Sequence, residues 1–376
     1  MSKHRNIPCV TSTIGGLTVA LACALGVHVA GARPLVLAPV KQATIDTELH
    51  RFVAAHKSFP GAAVTIVSPH GRTSAAAGRV KADDGLRIAS VTKTFTAAAV
   101  LRLAQEHKIT LDASAAEYLA PDTVSTLRQG GYDPDAITVR NLLQHTSGLY
   151  DYAADPAYQE AVVTSPRHRW TRAEQVGFAM THGQPLAPPG AEFHYSDSGY
   201  VLLGEIIERV TGQSPAQGYR ALLGFDRLGL RRTYLESLEP RPANAKSRAH
   251  QYLGDVDATG FDPSFDLYGG GGLVSTVGDL ATFYRALLHG GVLAPATLKT
   301  MLGQPDGRTV ADLGMGIFGE RVAGETCWSH AGFWGTLVAH CPRSNVTIAI
   351  TVNQAEGSDR PLQQLEADLL RIARRR

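Results

Sequence analysis

The chemistry most legible in this chain sits in Ser90-Val91-Thr92-Lys93, its one Ser-x-x-Lys, where strand-like GLRIA gives way to helix-patterned VTKTFTAAAVLRLAQEH. Residues three apart on a helix share a face, so this hydroxyl and this amine can meet. A serine becomes a nucleophile when a neighbouring base takes its proton, and a lysine serves if burial or nearby cations keep it partly neutral. The start of a helix also favours negative charge growing on an attacked carbonyl oxygen. Alone the tetrapeptide is weak, because a chain this long holds about one by chance, and Ser90 is then an ordinary helix cap.

Four further stretches stand in order behind it: LLQHTSGL (142 to 149), YSDSGYVLLGEIIERVTG (195 to 212), GGGGLVSTVGDLATF (269 to 283) and HAGFWG (330 to 335). Together with Ser90 and Lys93 they resemble the serine β-lactamase and penicillin-binding protein superfamily, in its class C and D-alanyl-D-alanine carboxypeptidase branch with related esterases. The resemblance covers roughly residues 45 to 370. It implies an acyl-enzyme on Ser90, with Lys93 as hydrogen-bonded base partner and Tyr195 as the proton shuttle to the leaving group. His330 takes the place of the third-motif lysine, and the backbone N–H groups of Ser90 and Phe333, the latter following Gly332, form the oxyanion hole. No metal or organic cofactor is implied. The expected substrates are small molecules or peptides: a D-Ala-D-Ala peptidase acting on peptidoglycan stem peptides comes first, an esterase or amidase second and a β-lactamase third. A non-hydrolytic sensor or binding protein is the reading from another class.

Two departures from the family pattern bear on substrate. Asp197 stands where Tyr-x-Asn usually carries its asparagine; an ionised aspartate only accepts hydrogen bonds, and beside Lys93 it raises the lysine pKa. The same aspartate also reads as the N-terminal acid of the helix GYVLLGEIIERV, and both readings stand. In His330-Ala331-Gly332-Phe333, neither Ala331 nor Phe333 offers the hydroxyl that peptidases of this kind present to a substrate carboxylate. Bland alternatives remain for Tyr195 as a buried tyrosine and His330 as a satisfied strand histidine, while His145 and Ser147 read as loop formers.

The elements around these residues predict an α/β fold: an antiparallel sheet flanked by N- and C-terminal helices, with a large all-helical insertion. Short strands are expected at 62 to 78 and again after 315, and amphipathic helices near 44 to 56 and at the C-terminus. The α/β lobe takes about 43 to 104 and 271 to 376, and the helical lobe about 105 to 270. Thr276 to Asp279 reads as a capping box.

Residues 1 to 32 read as a signal peptide: Lys3 and Arg5, an apolar run, then Ala30-Gly31-Ala32. This places the chain outside the cytoplasm, periplasmic or secreted, with lipoprotein anchoring at Cys23 as an alternative. Its removal takes two of the 36 basic residues and leaves 34 against 34 acidic, so no nucleic-acid partner is expected. Cys327 and Cys341 then remain on either side of GFWG, either bridged across a hairpin or as two buried thiols.

Overall fold

The computed structural model describes residues 42–246, 248–304 and 313–375. The signal peptide expected at 1 to 32, with Cys23, lies outside the described residues.

Period-two alternation builds the main sheet. In β11 (Val346–Thr351), Val346, Ile348 and Ile350 join one core cluster, while Ala349 faces another between two threonines. The sheet contains β1 (Gly61–Ser68), β2 (Gly71–Gly78), β8 (Phe318–Val322), β9 (Glu325–Gly332), β10 (Thr336–Cys341) and β11. Its order is β2-β1-β11-β10-β9-β8, antiparallel throughout, so strands from both ends of the chain meet where β1 pairs with β11. The first helix, Gln42–Ala55, and the last, Asp359–Arg374, cover one face and close a core around Leu49, Phe52, Leu365 and Leu369.

On β9 and β10 the Trp328–His340 pair is followed by Cys327 and Cys341, and these two cysteines form a disulfide. That settles the alternative in favour of the bridge.

The segment between the two parts of the sheet is helical in bulk and carries short pairings that periodicity misses. A three-stranded sheet joins β3 (Leu86–Arg87), β7 (Leu273–Ser275) and β4 (Tyr234–Leu235), and β5 (Tyr252–Leu253) pairs with β6 (Val256–Asp257). Two-residue strands show no alternation to read. Only half of the capping box at 276 to 279 forms. The Thr276 hydroxyl accepts from the Asp279 N–H at 3.0 Å, whereas the Asp279 carboxylate accepts from the Arg232 N–H and the Thr233 hydroxyl.

Candidate active site

Ser90 sits in a single 3-10 turn, Ala89–Val91, immediately before the Thr92–Gln105 helix. It therefore precedes the helix rather than capping it, since Val91 is the cap residue. Ala89 takes φ of +44°, a left-handed conformation uncommon for a residue with a side chain, and the sharp turn carries Ser90 against β9. Gly332 presses the end of β9 against that turn; a Cβ there would stand 2.2 Å from the Ile88 carbonyl oxygen. Among the described residues no protein acceptor takes the N–H of Ser90 or of Phe333, leaving both free to face a ligand oxygen.

Lys93 is fully buried, and its ammonium has three N–H bonds for three acceptors: Ser90 Oγ at 2.8 Å, Asp197 Oδ1 at 2.5 Å and the Gly270 carbonyl at 2.9 Å. Burial alone would lower the lysine pKa, but the Asp197 carboxylate, helped by Tyr195 and Asp266, overcomes it and holds the amine well above its ordinary range. Lys93 is thus an ammonium at rest. The two readings of Asp197 merge: it is the first residue of the helix Asp197–Thr211, capped by Ser196, and from there its side chain reaches Lys93.

The glycine run belongs to the same arrangement. A Cβ at Gly270 would lie 2.5 Å from Asp197 Oδ1, and one at Gly271 would lie 2.2 Å from the Asp266 carboxylate. These glycines leave room for carboxylates to approach the backbone. Asp266 and Asp151 are the functional candidates that the sequence reading missed. Asp151 Oδ1 accepts from the Asp197 N–H at 3.1 Å. Burial first, then the negative charge of Asp197, pushes both Asp151 and Asp266 up to about 7, with Lys93 pulling the other way. Three acids therefore surround one cation.

Tyr195 is half-buried, with Lys93 Nζ 5.0 Å from its ring centre. Burial pushes it up to about 12 against the pull of Lys93, so it is a phenol at neutral pH. His145 stacks on Tyr195 with ring centres 4.3 Å apart and on Tyr200 at 4.8 Å, and its Nδ1 accepts from the Ser196 N–H. Burial, then Lys93 and His330, holds its pKa far below the usual histidine value. It positions Tyr195 and Ser196 and bears out the structural reading. Ser147 is buried, and its hydroxyl accepts from the Leu149 N–H.

His330 donates from Nδ1 to the Ala331 carbonyl at 2.7 Å, and its buried Nε2 has no partner. Burial and Lys93 push it down to about 3, so it is neutral. Phe333 projects from the turn after β9 and is 52% exposed.

Next to this machinery lies a cavity of about 200 Å³ whose walls include Val162, Leu253, Phe265, Phe333 and Trp334, with Asp266 the one charged residue among the described lining. Trp334 also packs on Ala89, which ties the cavity wall to the Ser90 turn.

Comparison with known proteins agrees with this geometry. A D-stereospecific amidohydrolase from Streptomyces sp. superimposes with a TM-score of 0.76 at 29% identity, covering 87% of this chain and 98% of that one. A putative D-alanyl-D-alanine carboxypeptidase of Escherichia coli K12 is 26% identical over 71% of this chain and 68% of its own length. Protein flp of Staphylococcus aureus MW2 is 33% identical over 47% of this chain, and the matched region spans only 35% of that protein's length. The Beta-lactamase family model matches residues 46–371. With nearly all of the described chain inside that match, the protein belongs to the beta-lactamase family, a family of serine hydrolases.

Proposed function

We propose that this protein is a serine hydrolase that cleaves small amide or peptide substrates through an acyl-enzyme on Ser90. The observation that carries the reading is the buried contact of Lys93 Nζ with Ser90 Oγ, backed by the Asp197 carboxylate on the same nitrogen. With Lys93 already protonated, the base that suits the geometry is Asp197 acting through it. A proton passes from Lys93 Nζ to Asp197 Oδ1, and Lys93 takes the Ser90 proton as Oγ bonds to the substrate carbonyl carbon. The carbonyl oxygen becomes an oxyanion facing the N–H groups of Ser90 and Phe333. Collapse breaks the C–N bond, and Tyr195 delivers its hydroxyl proton to the leaving amine and recovers one from Lys93. Asp197 returns its proton to Lys93, and water attacks the acyl-enzyme by the reverse route.

Amide hydrolysis without recognition of a substrate carboxylate fits best. His330 is neutral, Ala331 and Phe333 offer no hydroxyl, and three acids oppose an incoming anion. The amidohydrolase and the carboxypeptidase among the relatives support amide bonds generally. A D-Ala-D-Ala carboxypeptidase acting on stem peptides is the second reading, favoured by the Escherichia coli relative. The disulfide supports a setting outside the cytoplasm.

Intact-mass measurement after mixing with p-nitrophenyl acetate tests the reading. A transient acetyl adduct is expected on the wild type and none on Ser90→Ala, with turnover lower by about 1000-fold or more. Equal hydrolysis by Ser90→Ala would refute it.

A further inference from the structure

We infer that the cavity beside Ser90 is a subsite for a primary ammonium, with Asp266 binding the free α-amino group of the substrate and the apolar wall holding its side chain. The substrate class is then amino acid amides and peptides cleaved at an unblocked N-terminal residue. The inference rests on Ser90 being the nucleophile.

Two observations converge on it. First, Asp266 is the one charged residue in a mostly aromatic and aliphatic lining, whose other polar groups, the Tyr158 hydroxyl and the Gln159 amide, donate to the Phe265 and Ala153 carbonyls, so a ligand that fills the cavity meets a carboxylate beside largely apolar surface. Such a pocket suits an apolar side chain with one cationic group close by, because a lone charge against apolar walls needs a partner.

Second, the Asp266 carboxylate is unmatched within the protein. The cations nearest in effect are Lys93 and Arg87. The three N–H bonds of Lys93 go to Ser90, Asp197 and Gly270. Arg87 sends its own to Glu236, the Ala258 carbonyl and the Phe261 carbonyl. Among the described residues none hydrogen-bonds to the Asp266 side chain. Burial beside Asp197 leaves it at about 7, so an arriving ammonium would draw off its proton and form a charge-assisted hydrogen bond.

The test compares phenylalanine p-nitroanilide, as each enantiomer, with its N-acetyl derivative, measuring kcat/KM on the wild type and on Asp266→Asn. Loss of a charged hydrogen bond predicts that the wild type favours the free amine by about 10-fold or more in at least one enantiomer. Asp266→Asn should bring that ratio close to unity, and Asp266→Glu should recover part of it. Equal turnover of free and acetylated substrate by the wild type overturns the subsite, as does a preference that survives in Asp266→Asn. So does turnover of neither anilide by a protein whose Ser90 is still acylated by p-nitrophenyl acetate. Absence of that Ser90 adduct is a different failure, because it removes the hydrolase reading itself.

Discussion

The two faces of the main sheet were built for different ends. Toward the terminal helices it presents Val64, Ile66, Leu337, Ala339, Ile348 and Ile350, all buried in one apolar cluster and tied by the Cys327–Cys341 disulfide. Toward the other lobe the alternate positions include His330, Thr336, His340, Thr347 and Thr351, buried but polar. Strand alternation allows this, because moving one residue along a strand changes face. The lesson is that one sheet separates stability from chemistry: the closed face supplies apolar burial, and the open face carries His330 and leads through Gly332 to the Ser90 turn. Substitutions on the two faces should separate into loss of fold and loss of reaction.

Lys93→Met should break that separation most severely. It removes the cation whose charge Asp197, Asp151 and Asp266 share, so it should cost about 3–5 kcal/mol of stability as well as the Ser90 adduct. Denaturant melts at pH 8 check it; a variant melting like the wild type would mean that the acids do not depend on the lysine. Ile350→Ala, on the closed face, should cost about 2–5 kcal/mol while the acylation rate per folded molecule stays that of the wild type. A slower rate in the folded protein would show that the faces are coupled. Replacing both cysteines, Cys327→Ser with Cys341→Ser, should cost about 3 kcal/mol with the same unchanged acylation.

What the sequence made legible follows from distance along the chain. Ser90 and Lys93 lie one helical turn apart, and the structure joins them as their spacing predicts. Tyr195 and His330 could be named as candidates because each sits in a short motif. Asp151 and Asp266 were not, since each reads locally as a turn acid and gains its role only through space, beside Asp197. A signal was available: four consecutive glycines need neighbours that would collide with side chains, and two of those neighbours are Asp197 and Asp266. Asp197 posed a choice between helix start and site residue because sequence treats these as alternatives, whereas the start of a buried helix can be both.

Glu366 is the exception that sharpens the contrast. It lies on the last helix, inside the closed face, 1% exposed and with Oε1 unpartnered. Burial, then Glu320, pushes its carboxyl up to about 8. A carboxyl whose folded pKa exceeds its unfolded value contributes stability that is complete below the unfolded pKa and is lost as pH rises through the folded one. Asp266, at about 7, has the same sign. Between about pH 5 and pH 8 both should therefore weaken the wild type as pH rises, Asp266 until about pH 7 and Glu366 until about pH 8, while the depressed His330 and His340 act the other way and only below about 6.5, where an unfolded histidine begins to bind its proton. Glu366→Gln and Asp266→Asn should each flatten the fall in melting temperature across that window, by about 2 °C or more. They should part company in catalysis, because only Asp266 faces the cavity beside Ser90. If Glu366→Gln altered the free-amine preference, the closed face would have to communicate with the site. If Asp266→Asn left the dependence of melting temperature on pH unchanged between about pH 5 and pH 7, its carboxyl would not be carrying the proton that burial beside Asp197 assigns to it.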